Sequence, residues 1–156
     1  DVVQGDVGTA GLMQAAPALG TVIFMLVIAS ATNIQWKGKL LLGSGILFSI
    51  GLIAFSWSSN LYLSLALLVV VGGLNMTWQT TLNTLLQTNV EDDMRGRVMS
   101  AYTMTALAMM PLGQGPLGMA FDRLGPSLAL TLNAVISLVW IVYMGLFRVK
   151  QIRALP

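Results

Sequence analysis

The run LYLSLALLVVVGGL (residues 61–74) contains no charged side chain and no alternation of polar and apolar residues. A strand of a membrane β-barrel alternates in polarity over about ten residues, and this run does not. A helix that crosses a bilayer needs about 20 mostly apolar residues, and in lipid a helix satisfies its own backbone hydrogen bonds without a closed sheet. The run therefore predicts a transmembrane helix rather than a strand.

The composition of the whole chain also indicates a membrane protein. Of its 156 residues, 56% are hydrophobic and 9% are charged, whereas about a quarter of the residues in a soluble domain are charged. The net charge is only +2, and the basic residues are spread along the chain, so we expect no nucleic-acid partner. Because the chain has no cysteine and no histidine, we expect no enzyme, no metal site and no cofactor.

Charged residues mark the ends of the apolar runs, because none of them falls inside a long run. The fold class that follows is an all-α membrane protein with five transmembrane helices. The predicted spans are about 8–31, 40–57, 61–88, 98–121 and 127–147. An odd number of spans, with a first residue that is not methionine, favours the interpretation that residues 1–156 are one part of a longer bundle.

The basic residues predict the orientation of these spans. Seven of the eight fall on one side of the membrane: Lys37, Lys39, Arg95, Arg97, Arg148, Lys150 and Arg153. Lysine and arginine are enriched in cytoplasmic loops. We therefore expect a multi-pass protein of the inner (plasma) membrane, with its amino terminus outside and its carboxyl terminus in the cytoplasm.

The most strongly charged segment is NVEDDMRGRVMS (residues 89–100), which we expect to form a cytoplasmic loop between the third and fourth spans. Asp92 or Asp93 is expected to cap the fourth helix, where exposed N–H groups favour an anion. Two roles remain open for the arginines: lipid-facing topology markers, or partners for carboxylates when an inner gate closes. The loop and gate candidates are Asp92, Asp93, Arg95, Gly96 and Arg97.

The third span contains polar side chains. We expect them to lie in the hydrocarbon layer, where lipid offers them no hydrogen bonds. Asn75, Gln79 and Asn83 are four residues apart and therefore share one helix face. They either hydrogen-bond neighbouring helices, at about 0.6 kcal/mol each, or line a translocation cavity. The cavity candidates in this span are Asn75, Trp78, Gln79, Thr80 and Asn83.

The fourth span contains MMPLGQGPLGM (residues 109–119). A proline inside a helix removes a hydrogen-bond donor and bends the axis, and a glycine permits close helix contact. The expected kink and packing residues are Pro111, Gly113, Gly115, Pro116 and Gly118. Gln114 is a further cavity candidate.

Two segments carry a family resemblance: LNTLLQTNVEDDMRGRVMSAYTM (residues 82–104) and PLGQGPLGMAFDRLGP (residues 111–126). Together they resemble the carboxyl-terminal half of major facilitator superfamily transporters, and within it the enterobactin-exporter and macrolide-efflux branch. In that branch the loop reads as a proline, two acids, a hydrophobic residue and Arg-Gly-Arg-Val-Met-Ser. Residues 92–100 match this pattern, and Glu91 stands where the proline is expected.

The resemblance implies that the chain corresponds to helices 8–12 of a twelve-helix transporter whose amino-terminal half and seventh helix lie outside the sequence. It also implies export of a siderophore-like or drug-like small molecule by alternating access, with the lipid bilayer and the missing half as partners. No titratable side chain lies deep in a predicted span, so a proton-coupling residue would belong to the missing half. The alternative is a self-contained five-span accessory or assembly subunit without transport activity.

Overall fold

The computed structural model describes residues 7–30 and 37–147. These residues form five α-helices and, within the described ranges, no strand. The helices are α1 (Val7–Ser30), α2 (Lys37–Ser56), α3 (Leu61–Asn89), α4 (Asp92–Leu124) and α5 (Pro126–Phe147). The predicted all-helical fold class with five helices is confirmed. Three of the residues used to predict orientation, Arg148, Lys150 and Arg153, lie outside the described residues.

Four of the five helices are long and apolar enough to cross a membrane, namely α1, α2, α3 and α5. The fourth, α4, is the longest at 33 residues, but charged residues occupy its first turns, and its centre contains several polar, glycine and proline residues. Its crossing between about residues 98 and 121 therefore stays a prediction.

The helices pack in an order that differs from their order along the chain. Helix α1 packs on α3, α3 on α2, α2 on α5, and α5 on α4. Among the described residues, α1 contacts none of α2, α4 and α5. Helix α4 lies at the edge of this row, has no buried residue, and touches α3 far less than it touches α5. The described helices thus form an open layer, with large hydrophobic side chains exposed on its faces.

Glycine brings the backbones of α1 and α3 into direct contact. A Cβ atom added at Gly20 would overlap the carbonyl oxygen of Val69, and one added at Gly72 would overlap the carbonyl oxygen of Pro17. Gly73 likewise leaves room for the ring of Phe24. Small residues allow this close approach, which increases the van der Waals contact between helices that gain little from hydrophobic burial in lipid.

The close helix contact expected at the glycines of α4 is not made by any described residue, and it stays a prediction. A Cβ atom added at Gly113, Gly115 or Gly118 would meet nothing within 4 Å, because this part of α4 is exposed along its length. The helix also continues through Pro111 and Pro116 without interruption.

Polar side chains join the ends of three helices on one side of the layer. Asn60 caps α3, and its side chain accepts hydrogen bonds from the backbone N–H groups of Tyr62 and Leu63. Thr131 of α5 accepts a hydrogen bond from Trp57 Nε1 at 3.1 Å, and its hydroxyl lies 2.7 Å from that of Ser56. The contacts of Thr131 link the end of α2 to the first turns of α5.

Candidate functional site

The amide side chains of α3 lie on a face that no other described helix covers completely. Gln79 is exposed, whereas Asn75 and Asn83 are half-buried. Gln79 Nε2 donates a hydrogen bond to Asn75 Oδ1 at 2.8 Å. Within residues 7–30 and 37–147, none of the three amides hydrogen-bonds another helix. These contacts give no support to the interpretation of the amides as links between helices.

The threonines of α3 behave differently from the amides. The hydroxyl groups of Thr77, Thr81, Thr84 and Thr88 each donate to the backbone carbonyl four residues earlier, at 2.7–2.8 Å. Such bonds satisfy a hydroxyl within its own helix. Thr80 is half-buried, and its carbonyl oxygen accepts the bond from Thr84. The polar groups of α3 that still need a partner are therefore mainly amides.

A cavity of about 150 Å³ lies between α2, α3 and α5. It is lined by Gly45, Phe48, Asn75, Trp78, Ser137 and Ile141. All of these residues lie near the middle of their helices, so the cavity lies at about half the depth of the layer.

Gly45 provides space for the cavity. A Cβ atom at this position would lie 3.0 Å from Ile141 Cδ1 and 3.3 Å from Trp78 Cδ1. Any larger residue would push into the space between α3 and α5. The small residue in the middle of α2 therefore keeps the cavity open.

The structure brings together two of the six predicted cavity residues. Asn75 and Trp78 line the cavity, whereas Gln79, Thr80 and Asn83 lie on α3 outside its lining. Gln114 is exposed on α4 and also lies outside it.

The other four lining residues are Gly45, Phe48, Ser137 and Ile141, which sequence reasoning missed. The available signal was weak: Gly45 and Ser137 are small residues near the middle of their helices, and α2 has other small residues close by, such as Gly43 and Ser44. Such residues are equally compatible with ordinary helix packing. Only the pairing of α2 with α5 shows that they face the same space.

The charged segment after α3 is helical rather than a loop. Helix α4 begins at Asp92, six residues earlier than predicted, and only Val90 and Glu91 separate it from α3. Its cap is Glu91, without a side-chain hydrogen bond, rather than Asp92 or Asp93. The two aspartates occupy the first turn instead, where the helix dipole stabilises their negative charges. This stabilisation allows the helix to start before the apolar run does.

The two arginines of this segment have different environments. Arg95 Nη2 lies 2.6 Å from Asp92 Oδ1, and Arg95 Nε donates to the carbonyl oxygen of Gln87 at 3.0 Å. Arg95 therefore ties the last turn of α3 to the first turn of α4. Arg97 is exposed, and a Cβ atom at Gly96 would meet nothing within 4 Å. No described residue therefore packs closely against Gly96.

The cavity is chemically neutral. No charged side chain of the described residues lines it, and these residues contain no group of three or more acidic, histidine or cysteine side chains that could hold a metal ion. Its polar groups are one carboxamide, one indole N–H and one hydroxyl. Such a lining can bind an uncharged molecule through hydrogen bonds and apolar contact.

Comparison with known proteins places the chain in a family. The family model for the Major Facilitator Superfamily matches residues 2–154. No curated protein and no solved structure matches the chain significantly. Because the family model covers nearly the whole sequence, and because the structure is a set of long apolar helices, the chain belongs to the major facilitator superfamily of membrane transporters.

Proposed function

We propose that the chain is the carboxyl-terminal half of a secondary-active efflux transporter, corresponding to its helices 8–12. It exports a siderophore-like or drug-like small molecule across the inner membrane by alternating access. Family membership supports the transport activity. The resemblance of residues 82–104 to the enterobactin-exporter and macrolide-efflux branch supports the direction and the type of substrate.

The observation that carries the proposal is the uncovered amide face of α3. An unpaired amide is costly in hydrocarbon, yet Gln79 is exposed near the middle of a 29-residue apolar helix. Among the described residues, its one hydrogen-bond partner is Asn75 of the same helix. This side chain therefore requires water or a polar ligand beside it, as it would have along an aqueous pathway.

In the proposed mechanism this half rocks against an amino-terminal half about a site near the middle of the membrane. Asn75, Gln79 and Asn83 offer both donors and acceptors, so they bind polar uncharged groups of a substrate in either orientation of the pathway. With the amino terminus outside and the carboxyl terminus inside, α4 begins on the cytoplasmic side. Arg97 is then the arginine available to an inner gate, since Arg95 is already bound to Asp92 and to α3.

A five-span accessory subunit remains the second candidate function. It is favoured by a different observation, namely that the cavity between α2, α3 and α5 has a volume of only about 150 Å³. Such a subunit would use the same packing faces and would need no water at the amides.

Cysteine accessibility distinguishes the two functions, because the chain has no native cysteine. Asn75→Cys, Gln79→Cys and Asn83→Cys are each treated in membranes with an impermeant thiol reagent, in the protein as the cell makes it. Leu85→Cys is a buried control, with the native side chain 7% exposed, and Val70→Cys is an apolar control, 44% exposed. Val70 lies nine residues from Gln79 and hence on the opposite side of α3.

Labelling at the three amide positions, its absence at both controls, and protection by a siderophore or a macrolide would support the transporter. Labelling that is absent at all five positions would refute the aqueous pathway and favour the accessory subunit. Labelling at position 70 as strongly as at position 79 would show that both faces of α3 meet water, and would refute the amide face as the pathway.

A further inference from the structure

The cavity between α2, α3 and α5 contains several hydrogen-bonding groups that the described residues leave without partners. Asn75 Oδ1 accepts from Gln79, and no described residue accepts a hydrogen bond from Asn75 Nδ2. Within the same described ranges, Trp78 Nε1 and Ser137 Oγ also make no hydrogen bond, although both residues line the cavity. Three polar groups that line one small cavity, two on α3 and one on α5, thus lack partners in the described part of the chain.

These groups are not sealed inside the protein. Every fully buried polar side-chain atom of the described residues has a hydrogen-bond partner, so the three unpaired groups remain accessible. A buried hydroxyl in this layer can instead hydrogen-bond a carbonyl of its own helix: Ser49 Oγ, for example, donates to the carbonyl oxygen of Gly45 at 3.0 Å. Ser137 makes no such bond to its own helix. A polar group with no partner, at half the depth of an apolar layer, indicates that a bound molecule (the occupant) fills the cavity and supplies the missing hydrogen bond.

The unpaired groups define what the occupant must offer. Asn75 Nδ2 and Trp78 Nε1 can only donate hydrogen bonds, and the hydroxyl of Ser137 can donate or accept. The occupant must therefore carry an acceptor such as a carbonyl or ether oxygen. It must also be uncharged, because no charged side chain of the described residues lines the cavity to compensate for a buried charge.

The volume of the cavity and its apolar lining limit the size and the polarity of the rest of the occupant. Phe48, Trp78 and Ile141 form an apolar, partly aromatic wall. An engineered protein cavity of about 150 Å³ with an apolar lining binds benzene. The cavity of this chain has a similar volume of about 150 Å³, so it accommodates one six-membered ring.

We propose that this cavity is a binding site for a single uncharged aromatic ring that carries a hydrogen-bond acceptor, either as a small molecule or as one group of a larger one. The acceptor binds the N–H groups of Asn75 and Trp78, and the ring packs on Phe48 and Ile141. Gln79 acts as a positioning residue, since its bond to Asn75 Oδ1 leaves the amide nitrogen of Asn75 as the group offered to the ligand. The inference concerns binding and does not depend on whether the chain transports.

The test uses two probes of the same shape, acetophenone and α-methylstyrene, which differ by a carbonyl oxygen in place of a methylene group. Binding is followed by the fluorescence of Trp78 in the full chain, with the other three tryptophans replaced by phenylalanine. Acetophenone is expected to quench Trp78 saturably, and α-methylstyrene to compete about tenfold more weakly, because it cannot accept a hydrogen bond. Asn75→Leu is expected to weaken acetophenone about fivefold to tenfold and to leave α-methylstyrene unchanged.

Two glycines of α2 provide a matched pair of variants. Gly45→Val fills the cavity, whereas Gly43→Val places the same side chain where a Cβ atom meets nothing within 4 Å. Saturable binding is expected to be lost in the first and kept in the second. If Gly45→Val does not fold, Ser137→Leu blocks the cavity from the opposite wall.

Equal quenching in the blocked and open variants would mean that the probes only dissolve in the surrounding detergent, and would overturn the proposal. Equal affinity for the two probes would overturn the assignment of a hydrogen-bond acceptor. Either result can be told apart from failure of the proposed transport function. That function is tested by the labelling of positions 79 and 83, which lie outside the cavity.

Discussion

Replacement of Gly20 by alanine tests the glycine contact between α1 and α3. The added Cβ atom would overlap the backbone carbonyl of Val69 and would lie 3.0 Å from the backbone nitrogen of Gly73. Both neighbours are backbone atoms, so no side-chain rotation can relieve the overlap, and the two helices must separate. Overpacking of this kind lowers the free energy of unfolding by about 1–3 kcal/mol. We expect a loss in the upper part of that range, because α1 has to move away from α3 as a whole.

Gly113→Ala is the matched control for this substitution. It makes the same chemical change inside a helix, but its Cβ atom would meet nothing within 4 Å. Alanine has a higher helix propensity than glycine, by about 1 kcal/mol in a helix interior, so this variant is expected to be neutral or slightly stabilised. The free energies of unfolding of the two variants should therefore differ by about 3 kcal/mol.

The measurement is unfolding of the purified 156-residue chain in mixed micelles by titration with a denaturing detergent, followed by far-ultraviolet circular dichroism. Gly20→Ala should unfold at a lower detergent fraction than the wild-type chain, and Gly113→Ala at the same fraction or a higher one. Equal midpoints for the two variants would refute the argument, since they would mean that α1 and α3 do not touch through Gly20.

The same unfolding assay checks three further predictions. Thr131→Val removes the oxygen to which two side chains at the end of α2 are hydrogen-bonded, and it should lower the free energy of unfolding by about 1–3 kcal/mol. Thr105→Val is the control, because it removes only a bond to the threonine's own helix, and it should be nearly neutral. Similar losses in the two variants would contradict the link between α2 and α5. Asn60→Ala removes the cap of α3 and should cost about 1 kcal/mol; an unchanged midpoint would show that the cap contributes nothing. Arg95→Gln should lower stability by up to about 1 kcal/mol, and less at high salt, and Arg97→Gln should not change it; a larger effect at Arg97 would reverse the roles assigned to the two arginines.

The difference between the arginines illustrates a limit of sequence reasoning. The spacing of Asp92 and Arg95 is compatible with a helical ion pair, but a run of charges between two apolar segments equally indicates a loop. The structure extends α4 through this run to Asp92. The charges in the first turn of α4 favour a helix that begins at Asp92. The pattern of apolar residues contains no information about this effect.

The sequence by itself determined the number and type of the helices and the approximate positions of their ends. Lipid cannot hydrogen-bond a peptide group, so each long apolar run must form a helix whatever surrounds it. The four-residue spacing of Asn75, Gln79 and Asn83 also places these amides on one face of α3, because a helix has 3.6 residues per turn.

Only the tertiary structure decided which faces meet. Helices such as α1 and α2 are apolar around almost their whole circumference, so hydrophobic periodicity cannot indicate the side that packs. The order α1, α3, α2, α5, α4 depends on shape: a glycine contact at Gly20 and Gly72, and a space at Gly45 that a bulkier residue would fill. The cavity arises where α2, α3 and α5 meet, and that meeting is a property of three surfaces rather than of any one segment.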